Sequence, residues 1–340
     1  MRRAPRFPVM IALLALLALA VGLLAACGGS SDTTTSASPS ASSDVTSKAY
    51  KIGITQIATH PALDATVQGF KDALAAKGFT NVTYVEENAQ GDIATAASIA
   101  QKLAGDNLDL ILSVATPTSQ AMVKADKVTP IVFTAVTDPK GSGLVADPAA
   151  PDANVTGVSD MQPVEPILQL ATKLKPGIKK VGVIYNSGES NSVFLINNEK
   201  AAATEMGLEI VEATAAKSAE VSAAAESLVG RVDAITVIGD NTAVTALESI
   251  VKVCNQNGIL LLAGDSDSVK RGAAASYGFD YASLGTQSGN MAALILSGTP
   301  VTSIPVEFAQ DLQLSVNEAA AKAQGVTLPA DLVAKAVNKY

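Results

Sequence analysis

The 340-residue sequence predicts an α/β protein built from two doubly wound parallel-sheet lobes joined by a multi-strand hinge. Two observations lead to this prediction. From Tyr50 onward, short runs rich in Val, Ile and Leu alternate with Ala-rich helical stretches, which is the pattern of β-α-β units on a parallel sheet. Near Lys179 the same alternation begins again. Two similar lobes are therefore expected to follow each other along the chain.

The first lobe is predicted to comprise residues 49-160 and 277-301. Its strands are expected near 51-55, 82-86, 109-114 and 130-134, and its helices near 62-77, 92-104 and 117-126. Gly78 directly follows the first helix, where a residue without a side chain commonly ends a helix.

The second lobe is predicted to comprise residues 161-276 and 302-340. Its strands are expected near 180-184, 208-212, 233-238 and 259-263, and its helices near 190-206, 218-229 and 242-256. Further segments near 273-277, 280-297, 304-308 and 314-336 must complete both lobes, with the helix at 280-297 returning to the first lobe. Several crossings of this kind make a hinge, so closure of the lobes is the expected motion.

The N-terminus has the pattern of a secretion signal over residues 1-26. Arg2, Arg3 and Arg6 precede an apolar run that extends to Ala26. The sequence Leu-Ala-Ala-Cys that ends at Cys27 resembles the lipobox of bacterial lipoproteins, which implies that Cys27 becomes the lipidated first residue. The alternative is an uncleaved signal anchor, because the apolar run lies at the lower limit for a membrane span. Both interpretations place the body outside the cytoplasm, at the cell membrane.

Residues 27-48 are predicted to be a flexible tether. They are rich in Ser and Thr and have no apolar periodicity, so they cannot bury enough surface to offset the entropy lost on ordering.

Composition excludes several classes of function. The formal net charge is -8 and the isoelectric point is about 4.8, so a nucleic-acid partner is not expected. Two Cys and one His cannot provide a disulfide framework or an ordinary zinc site, and no metal or cofactor is expected. Neither a G-x-S-x-G nucleophile motif nor a phosphate-binding P-loop occurs in the sequence. A non-catalytic protein is therefore predicted.

Polar residues follow the predicted strands in both lobes. Ligands of open parallel sheets lie beyond the carboxyl ends of the strands, so these positions are candidates for a binding site. They include residues 55-56, 60, 116-119, 134-138, 186-192, 240-241 and 265. Each of these residues has the alternative role of a helix cap.

A zwitterionic ligand fits this set of candidates. Thr116 is predicted to be the N-cap of a helix with Pro117 at its first position, and the free N–H groups there suit a carboxylate. Asp240 and Asp265 lie where a ligand ammonium would reach them. Asp265 is equally a candidate cap for a short helix at 266-271. The lone His60 is more often structural than a ligand contact.

Aromatic residues offer few stacking candidates. Five aromatic residues lie near predicted lobe edges or strand ends, where some could stack on a flat ligand: Phe70, Phe133, Tyr185, Tyr277 and Tyr281. Tyr185 and Tyr277 are favoured for this contact, whereas Phe70 and Phe133 fit apolar periodicities and are expected in the core. Cys254 is likewise expected to be a small core residue.

Several blocks of sequence resemble the tryptophan/tyrosine-type ABC-transporter substrate-binding proteins. They include GITQIATHPALDATVQGFKDAL from Gly53, DLILSVATPTSQAM from Asp109, VDAITVIGDNTAV from Val232 and AGDSDSVKRGAAASYGFDYASLGTQSG from Ala263, and the resemblance extends over nearly all of residues 50 to 336. It implies a type I periplasmic-binding-protein fold that holds an amino acid, often aromatic, between its lobes. It also implies delivery of that amino acid to a membrane permease powered by an ATPase.

The resemblance also implies a set of cleft residues. They are Gln56, His60, Thr116, Ser119, Thr134, Asp138, Asn186, Ser187, Asn191, Asp240, Asn241 and Asp265.

A monomer is expected. The alternatives are a nucleoside- or purine-binding lipoprotein of the same fold, an extracytoplasmic enzyme and a sensory receptor.

Overall fold

The computed structural model describes residues 45–340. The predicted signal peptide, Cys27 and all but the last residues of the predicted tether lie outside the described residues. Within the described part, no helix combines the length and apolar character that a membrane span requires.

Strands and helices alternate along the chain as the sequence predicts. The strands are β1 Tyr50–Gln56, β2 Val82–Asn88, β3 Leu110–Val114, β4 Ile131–Val136, β5 Val155–Ser159, β6 Lys180–Tyr185, β7 Glu209–Thr214, β8 Ala234–Val237, β9 Leu260–Asp265, β10 Ala275–Phe279, β11 Glu307–Phe308, β12 Gln313–Val316 and β13 Asn338–Lys339. The helices are α1 Pro61–Ala76, α2 Ile93–Ala104, α3 Thr116–Ala125, α4 Glu165–Leu174, α5 Ser190–Glu205, α6 Val221–Ser227, α7 Asn241–Thr245, α8 Leu247–Asn257, α9 Ser266–Lys270, α10 Tyr281–Leu296, α11 Glu318–Ala323 and α12 Ala330–Lys335.

These strands form two sheets, one in each lobe. The first has the order β11-β5-β4-β3-β1-β2, and the second has the order β13-β12-β10-β9-β8-β6-β7. All pairs are parallel except β10 with β12. The strand order reverses between β1 and β3 in the first sheet and between β6 and β8 in the second, and such switch points are where doubly wound sheets leave a crevice for a ligand. The predicted fold class is confirmed.

Each sheet is buried between helices. Phe70 of α1 and Phe133 of β4 are fully buried in the core of the first lobe, as predicted. In the second lobe, successive residues of β9 enter different apolar clusters, because neighbouring side chains of a strand point to opposite faces. Cys254 is fully buried in one of these clusters, which confirms its predicted place in the core.

The chain crosses between the sheets in three segments of its described part, at 160–164, at Asp280 and at 309–312. The expected boundaries at 277 and 302 therefore differ from the observed ones. Residues up to Phe279 stay in the second sheet because β10 pairs with both β9 and β12. Residues 307–308 stay in the first sheet because they pair with β5.

Helix α10 returns to the first lobe, as expected from the sequence, and packs closely against α1. A Cβ atom on Gly285 would lie 2.1 Å from the carbonyl oxygen of Thr66, and one on Gly69 would lie 2.4 Å from that of Ala282. Glycine at both positions therefore allows the two helix backbones to approach each other.

Strand β5 and helix α4 lie where the sequence analysis placed no element. The run at Val155–Ser159 contains only five residues, and it is buried at every one of them, so it lacks the alternation of a half-exposed strand. Helix α4 directly follows the first crossing.

Candidate functional site

A cavity lies between the two lobes at the carboxyl ends of their strands. About 390 Å³ of it is unoccupied by protein atoms, and little of that space is wide enough for a water molecule. It is lined by His60, Ala62, Leu63, Ala135 and Thr137 of the first lobe, by Asp160 and Tyr281 next to the crossing segments, and by Asn191, Gly239, Asp240, Asn241, Val244 and Asp265 of the second lobe. Because this space is narrow, the lobes must separate before an amino-acid-sized ligand can enter it.

The lining is acidic. Asp160, Asp240 and Asp265 contribute carboxyl groups, and none of the lining residues from the described chain is a lysine or an arginine. Burial raises the pKa of all three carboxyl groups. A positively charged group in the cavity would offset this cost of burying negative charge, whereas a second anionic group would increase it.

Asp240 lines the cavity and is also the N-cap of α7. Its Oδ1 accepts a hydrogen bond from the backbone N–H of Ala243 at 2.6 Å. Its Oδ2 accepts bonds from the backbone N–H of Asn186 at 2.7 Å and from the hydroxyl of Ser192 at 2.6 Å. Both of its oxygens are thus fixed by the second lobe, which holds the carboxylate at the switch point between β6 and β8.

Asp265 likewise has two roles. It lines the cavity, and it also caps a helix, which was the alternative interpretation of this residue. Its Oδ1 accepts from the backbone N–H of Ser268 at 2.7 Å, and its Oδ2 accepts from the hydroxyl of the same serine at 2.7 Å. The capped helix, α9, is only five residues long.

Asp160 was not predicted from the sequence, and Tyr281 was an aromatic candidate but not a favoured one. The phenol of Tyr281 donates to Oδ2 of Asp160 at 2.8 Å, and the hydroxyl of Thr137 donates to Oδ1 at 3.3 Å. Asp160 follows β5, the strand that the sequence analysis did not identify, so the rule of polar residues after strands was not applied to it.

Helix α3 begins one residue earlier than predicted. Thr116 is its first helical residue, and the N-cap position belongs to Ala115, whose φ of 78° lies in a region that residues other than glycine rarely adopt. Thr116 is therefore not the N-cap, and its buried hydroxyl has no hydrogen-bond partner. A second alanine, Ala135, has a φ of 53° and lines the cavity. Such backbone strain is concentrated at functional sites.

The first lobe has further polar atoms without partners. The hydroxyls of Thr55 and Thr134 are buried and unpaired. In contrast, the hydroxyl of Ser119 donates to the carbonyl oxygen of Ala115 at 2.8 Å and lies 2.9 Å from that of Ser113. The bonding capacity of Ser119 is used inside the lobe, so it stabilises the start of α3.

His60 occupies the N-cap position of α1 without a side-chain capping bond. Its side chain lies against Asn241 of the second lobe, and neither ring nitrogen has a hydrogen-bond partner. Burial lowers its pKa to about 4, with a further contribution from the positive charge of Arg271. The imidazole is therefore neutral at pH 7, with one nitrogen able to donate and the other able to accept.

Some predicted site residues lie beside the central cavity. Thr116 and Asp138 line an adjoining cavity of about 570 Å³, to which Asn191 also contributes. Asn186 lines another of about 1180 Å³, which extends between the loops that follow β2 and β7.

Other predicted site residues are placed differently. The side-chain amide of Gln56 donates to the carbonyl oxygen of Ala58 at 2.6 Å and to Asp64 at 2.8 Å, so it stabilises the loop that follows β1. Ser187 is exposed. Gln56, Ser119, Thr134 and Ser187 do not line the central cavity within the described part of the chain.

The favoured aromatic candidates also lie elsewhere. The phenol of Tyr185 donates to Glu212 at 2.6 Å on an exposed surface, and Tyr277 packs against the core of the second lobe. The aromatic side chain at the cavity is instead Tyr281, because the crossing at Asp280 directs the start of α10 to the cleft.

Glu189 lies directly behind the lining of the second lobe. It is 3% exposed and accepts hydrogen bonds from Asn191, Asn241 and Thr242. Burial, reinforced by the negative charge of Asp240, raises its pKa to about 7. Glu189 lies within the predicted segment 186–192 but was not singled out there, because only the folded loop brings its carboxyl group next to Asp240.

Comparison with known proteins identifies the family. Residues 51–339 match the family described as "ABC transporter substrate binding protein". The chain is 40% identical over 279 residues to the "Tyrosine-binding protein" of Clostridioides difficile, and the match covers 81% of each chain.

Two solved structures match the whole described body. The "ABC domain in complex with L-Trp" from Streptococcus pneumonia is 30% identical, with a TM-score of 0.83, and the match covers 86% of this chain and all of that one. The ligand-free, open structure of a substrate-binding protein with adhesive properties from Clostridium difficile is 39% identical, with a TM-score of 0.64 over 86% of this chain and 99% of that one. The lobes therefore lie closer to their arrangement in the L-Trp complex than to the open one, which agrees with the narrow cavity. The chain belongs to the ABC transporter substrate-binding protein family, whose members bind substrates rather than catalyse reactions.

Proposed function

We propose that this protein captures an aromatic L-amino acid between its two lobes outside the cytoplasm and delivers it to a membrane permease powered by an ATPase. The observation that carries the proposal is the polarity of the cleft. Its second lobe and crossing segments provide carboxyl groups, and the adjoining cavity provides the N-terminus of α3 with the unpaired hydroxyl of Thr116.

An amino acid matches this polarity at both ends. Its ammonium would pair with carboxyl groups such as those of Asp160 and Asp240, in a lining to which the described residues contribute no lysine or arginine. Its carboxylate would accept from the free N–H groups at the start of α3 and from the hydroxyl of Thr116. A micromolar dissociation constant requires about -8 kcal/mol, which contacts of this kind supply when closure excludes water.

The proposal that the ligand is an aromatic amino acid rests on the relatives and on the apolar part of the cavity. Leu63, Val244 and Tyr281 provide apolar surface beside the polar groups. One relative is a tyrosine-binding protein, and the structure of another was solved in complex with L-Trp. Tyrosine and tryptophan are therefore the first ligands to test.

Lipid attachment through Cys27 belongs to the same proposal. A diacylated cysteine followed by a Ser- and Thr-rich tether would keep the monomeric body at the outer face of the cell membrane, beside the permease.

Titration calorimetry tests the proposed ligand class. We expect binding in the micromolar range or tighter for L-tyrosine or L-tryptophan, and none for L-glutamate, whose second carboxylate would enter an acidic cavity. The chain contains no Trp, so the fluorescence of bound L-tryptophan can be followed directly. Preference for adenosine or guanosine over every amino acid would overturn the proposal in favour of a nucleoside receptor.

A further inference from the structure

We propose that Glu189 is a positioning residue of the binding site, which turns the amides of Asn191 and Asn241 so that both present carbonyl oxygens to the ammonium of the ligand. The inference rests on the proposed function and extends it, because it makes ligand affinity depend on the ionisation of a residue that does not itself line the cavity.

The hydrogen bonds around Glu189 define the arrangement. Nδ2 of Asn191 donates to Oε2 of Glu189 at 3.2 Å and to the carbonyl oxygen of Gly239 at 2.9 Å. Nδ2 of Asn241 donates to the same Oε2 at 2.5 Å. The hydroxyl of Thr242 donates to Oε1 at 3.1 Å. One buried carboxylate thus accepts hydrogen bonds from the NH₂ groups of both asparagines.

This pattern determines which end of each amide is free for the ligand. An ionised carboxylate has only acceptors, so it binds the NH₂ end of an asparagine and leaves the carbonyl oxygen for other partners. Asn191 and Asn241 both line the cavity, whereas Glu189 lies behind them. Oδ1 of Asn191 is buried and has no hydrogen-bond partner. An unpaired buried acceptor is costly, and an ammonium ligand would satisfy it.

Ionisation of Glu189 is required for the arrangement. A protonated carboxyl group would donate one bond itself and would then favour the carbonyl end of one asparagine, which would turn the NH₂ of that asparagine toward the cavity. An NH₂ group in that position would face the ammonium of the ligand, and the two would repel each other because both are donors. Burial and the charge of Asp240 place the pKa of Glu189 near 7, so the switch lies in the physiological range.

The charged groups around Glu189 come from several elements. Asp240 at the start of α7 acts on it directly and raises its pKa. Asp160 and Asp265 line the same cavity. His60 of the first lobe lies against Asn241, and Arg271 acts on His60 and on Asp265. An ammonium bound among these carboxyl groups adds positive charge and lowers the pKa of Glu189, so binding at neutral pH must release a proton.

The experiment is titration calorimetry of the protein with L-tyrosine and L-tryptophan from pH 5.5 to 8.5, in buffers of different ionisation enthalpy. As the pH falls below the raised pKa of Glu189, the affinity of the wild type should fall toward tenfold per pH unit, and binding near that pKa should release a fraction of a proton. Glu189→Gln should bind roughly tenfold more weakly at pH 8, with affinity that no longer depends on Glu189 ionisation and with the proton release lost.

Glu199→Gln is the matched control. Glu199 is also fully buried in the second lobe with a pKa raised to about 7, but it accepts a bond from Thr236 and does not line the cavity. This variant should keep the pH profile and proton release of the wild type, which shows that a buried glutamate as such does not produce the effect.

The outcomes separate the inference from the proposed function. Amino-acid binding by the wild type with no proton release and no pH dependence near 7 would overturn the inference alone, and this measurement does not require Glu189→Gln to fold. The same conclusion holds if Glu189→Gln retains the wild-type profile or if Glu199→Gln loses it. Failure of the wild type to bind any amino acid at any pH would overturn the proposed function itself.

Discussion

The phenol of Tyr281 donates a hydrogen bond to Oδ2 of Asp160 at 2.8 Å, although 121 residues separate the two along the chain. Asp160 starts the first crossing between the lobes, and Tyr281 directly follows the second. Both also line the central cavity. A ligand that contacts Asp160 therefore also contacts the hydrogen bond that joins two crossing segments. Through this bond, ligand binding would be coupled to movement of the hinge.

Removing this bond tests the coupling. Tyr281→Phe leaves one oxygen of the buried Asp160 without its donor, which we expect to destabilise the protein by about 1–3 kcal/mol and to weaken ligand binding. Urea unfolding and calorimetry with L-tyrosine measure the two effects. Tyr185→Phe is the control, because its hydroxyl bonds to Glu212 on an exposed surface. Equal behaviour of the two variants would contradict the role given to Tyr281.

Asp240 should contribute to both binding and folding. Asp240→Ala is expected to weaken amino-acid binding by about 2–5 kcal/mol, because it removes a carboxylate partner of the ammonium. It should also cost about 1 kcal/mol of stability through loss of the α7 cap. Asn317→Ala removes the cap of α11 away from the cavity and should change stability alone. Unchanged affinity in Asp240→Ala would exclude Asp240 from ammonium recognition.

Glu199 should make the protein less stable as the pH rises. Burial raises its pKa from 4.5 to about 7, so between these pH values the folded state binds more protons than the unfolded state. The free energy of unfolding from this group therefore falls as the pH increases from about 4.5 to about 7 and is constant above that. The lowered pKa of His60 has the opposite effect, because it makes the free energy of unfolding rise as the pH increases from about 4 to about 6.5.

Comparison of variants isolates this effect. Urea unfolding at pH 5 and pH 8 should show a smaller loss of stability for Glu199→Gln than for the wild type, because glutamine has no proton to lose. An identical loss in the two proteins would show that Glu199 does not titrate in this range.

The contact between α1 and α10 should not tolerate a methyl group. Gly285→Ala would place Cβ 2.1 Å from the carbonyl oxygen of Thr66, so we expect a loss of about 1–3 kcal/mol as the helices move apart. Gly105→Ala is the control, since its Cβ would lie 3.5 Å from the nearest atom. Thermal unfolding compares them, and an equally stable Gly285→Ala would contradict the close helix contact.

The two cysteines should differ in their effect on membrane attachment. Cys27→Ala should abolish incorporation of labelled palmitate and release the protein from the membrane fraction, because the acyl chains would have no point of attachment. Cys254→Ala should remain attached, since that cysteine is buried in the second lobe. Membrane retention of Cys27→Ala would instead support the uncleaved signal anchor.

Local sequence patterns were sufficient for most of the fold. Buried runs such as Leu110–Val114 and the Gly78 stop depend on neighbouring residues, so they predicted strands and helix ends correctly. The patterns did not locate β5 or the exact crossings, because a five-residue buried run has no periodicity and a crossing depends on which sheet edge accepts the strand.

The candidate site divides in the same way. Polar residues after strands identified His60, Asn191, Asp240, Asn241 and Asp265, which do line the cavity. They did not show whether Thr116 is a helix cap or the first helical residue, and they did not identify Asp160. Glu189 lay in a predicted segment without being singled out, and Tyr281 was an aromatic candidate that was not favoured.

The sequence by itself therefore determined two α/β lobes, the switch points at which a ligand site forms, and membership of a substrate-binding family. The tertiary structure decided which polar atoms remain free for a ligand. The physical reason is that a hydrogen bond such as that from Asn241 to Glu189 joins residues distant along the chain, and its geometry exists only after the second lobe has folded. Secondary structure follows from neighbouring residues, whereas the free donors and acceptors of a cleft are those that the completed fold has not used.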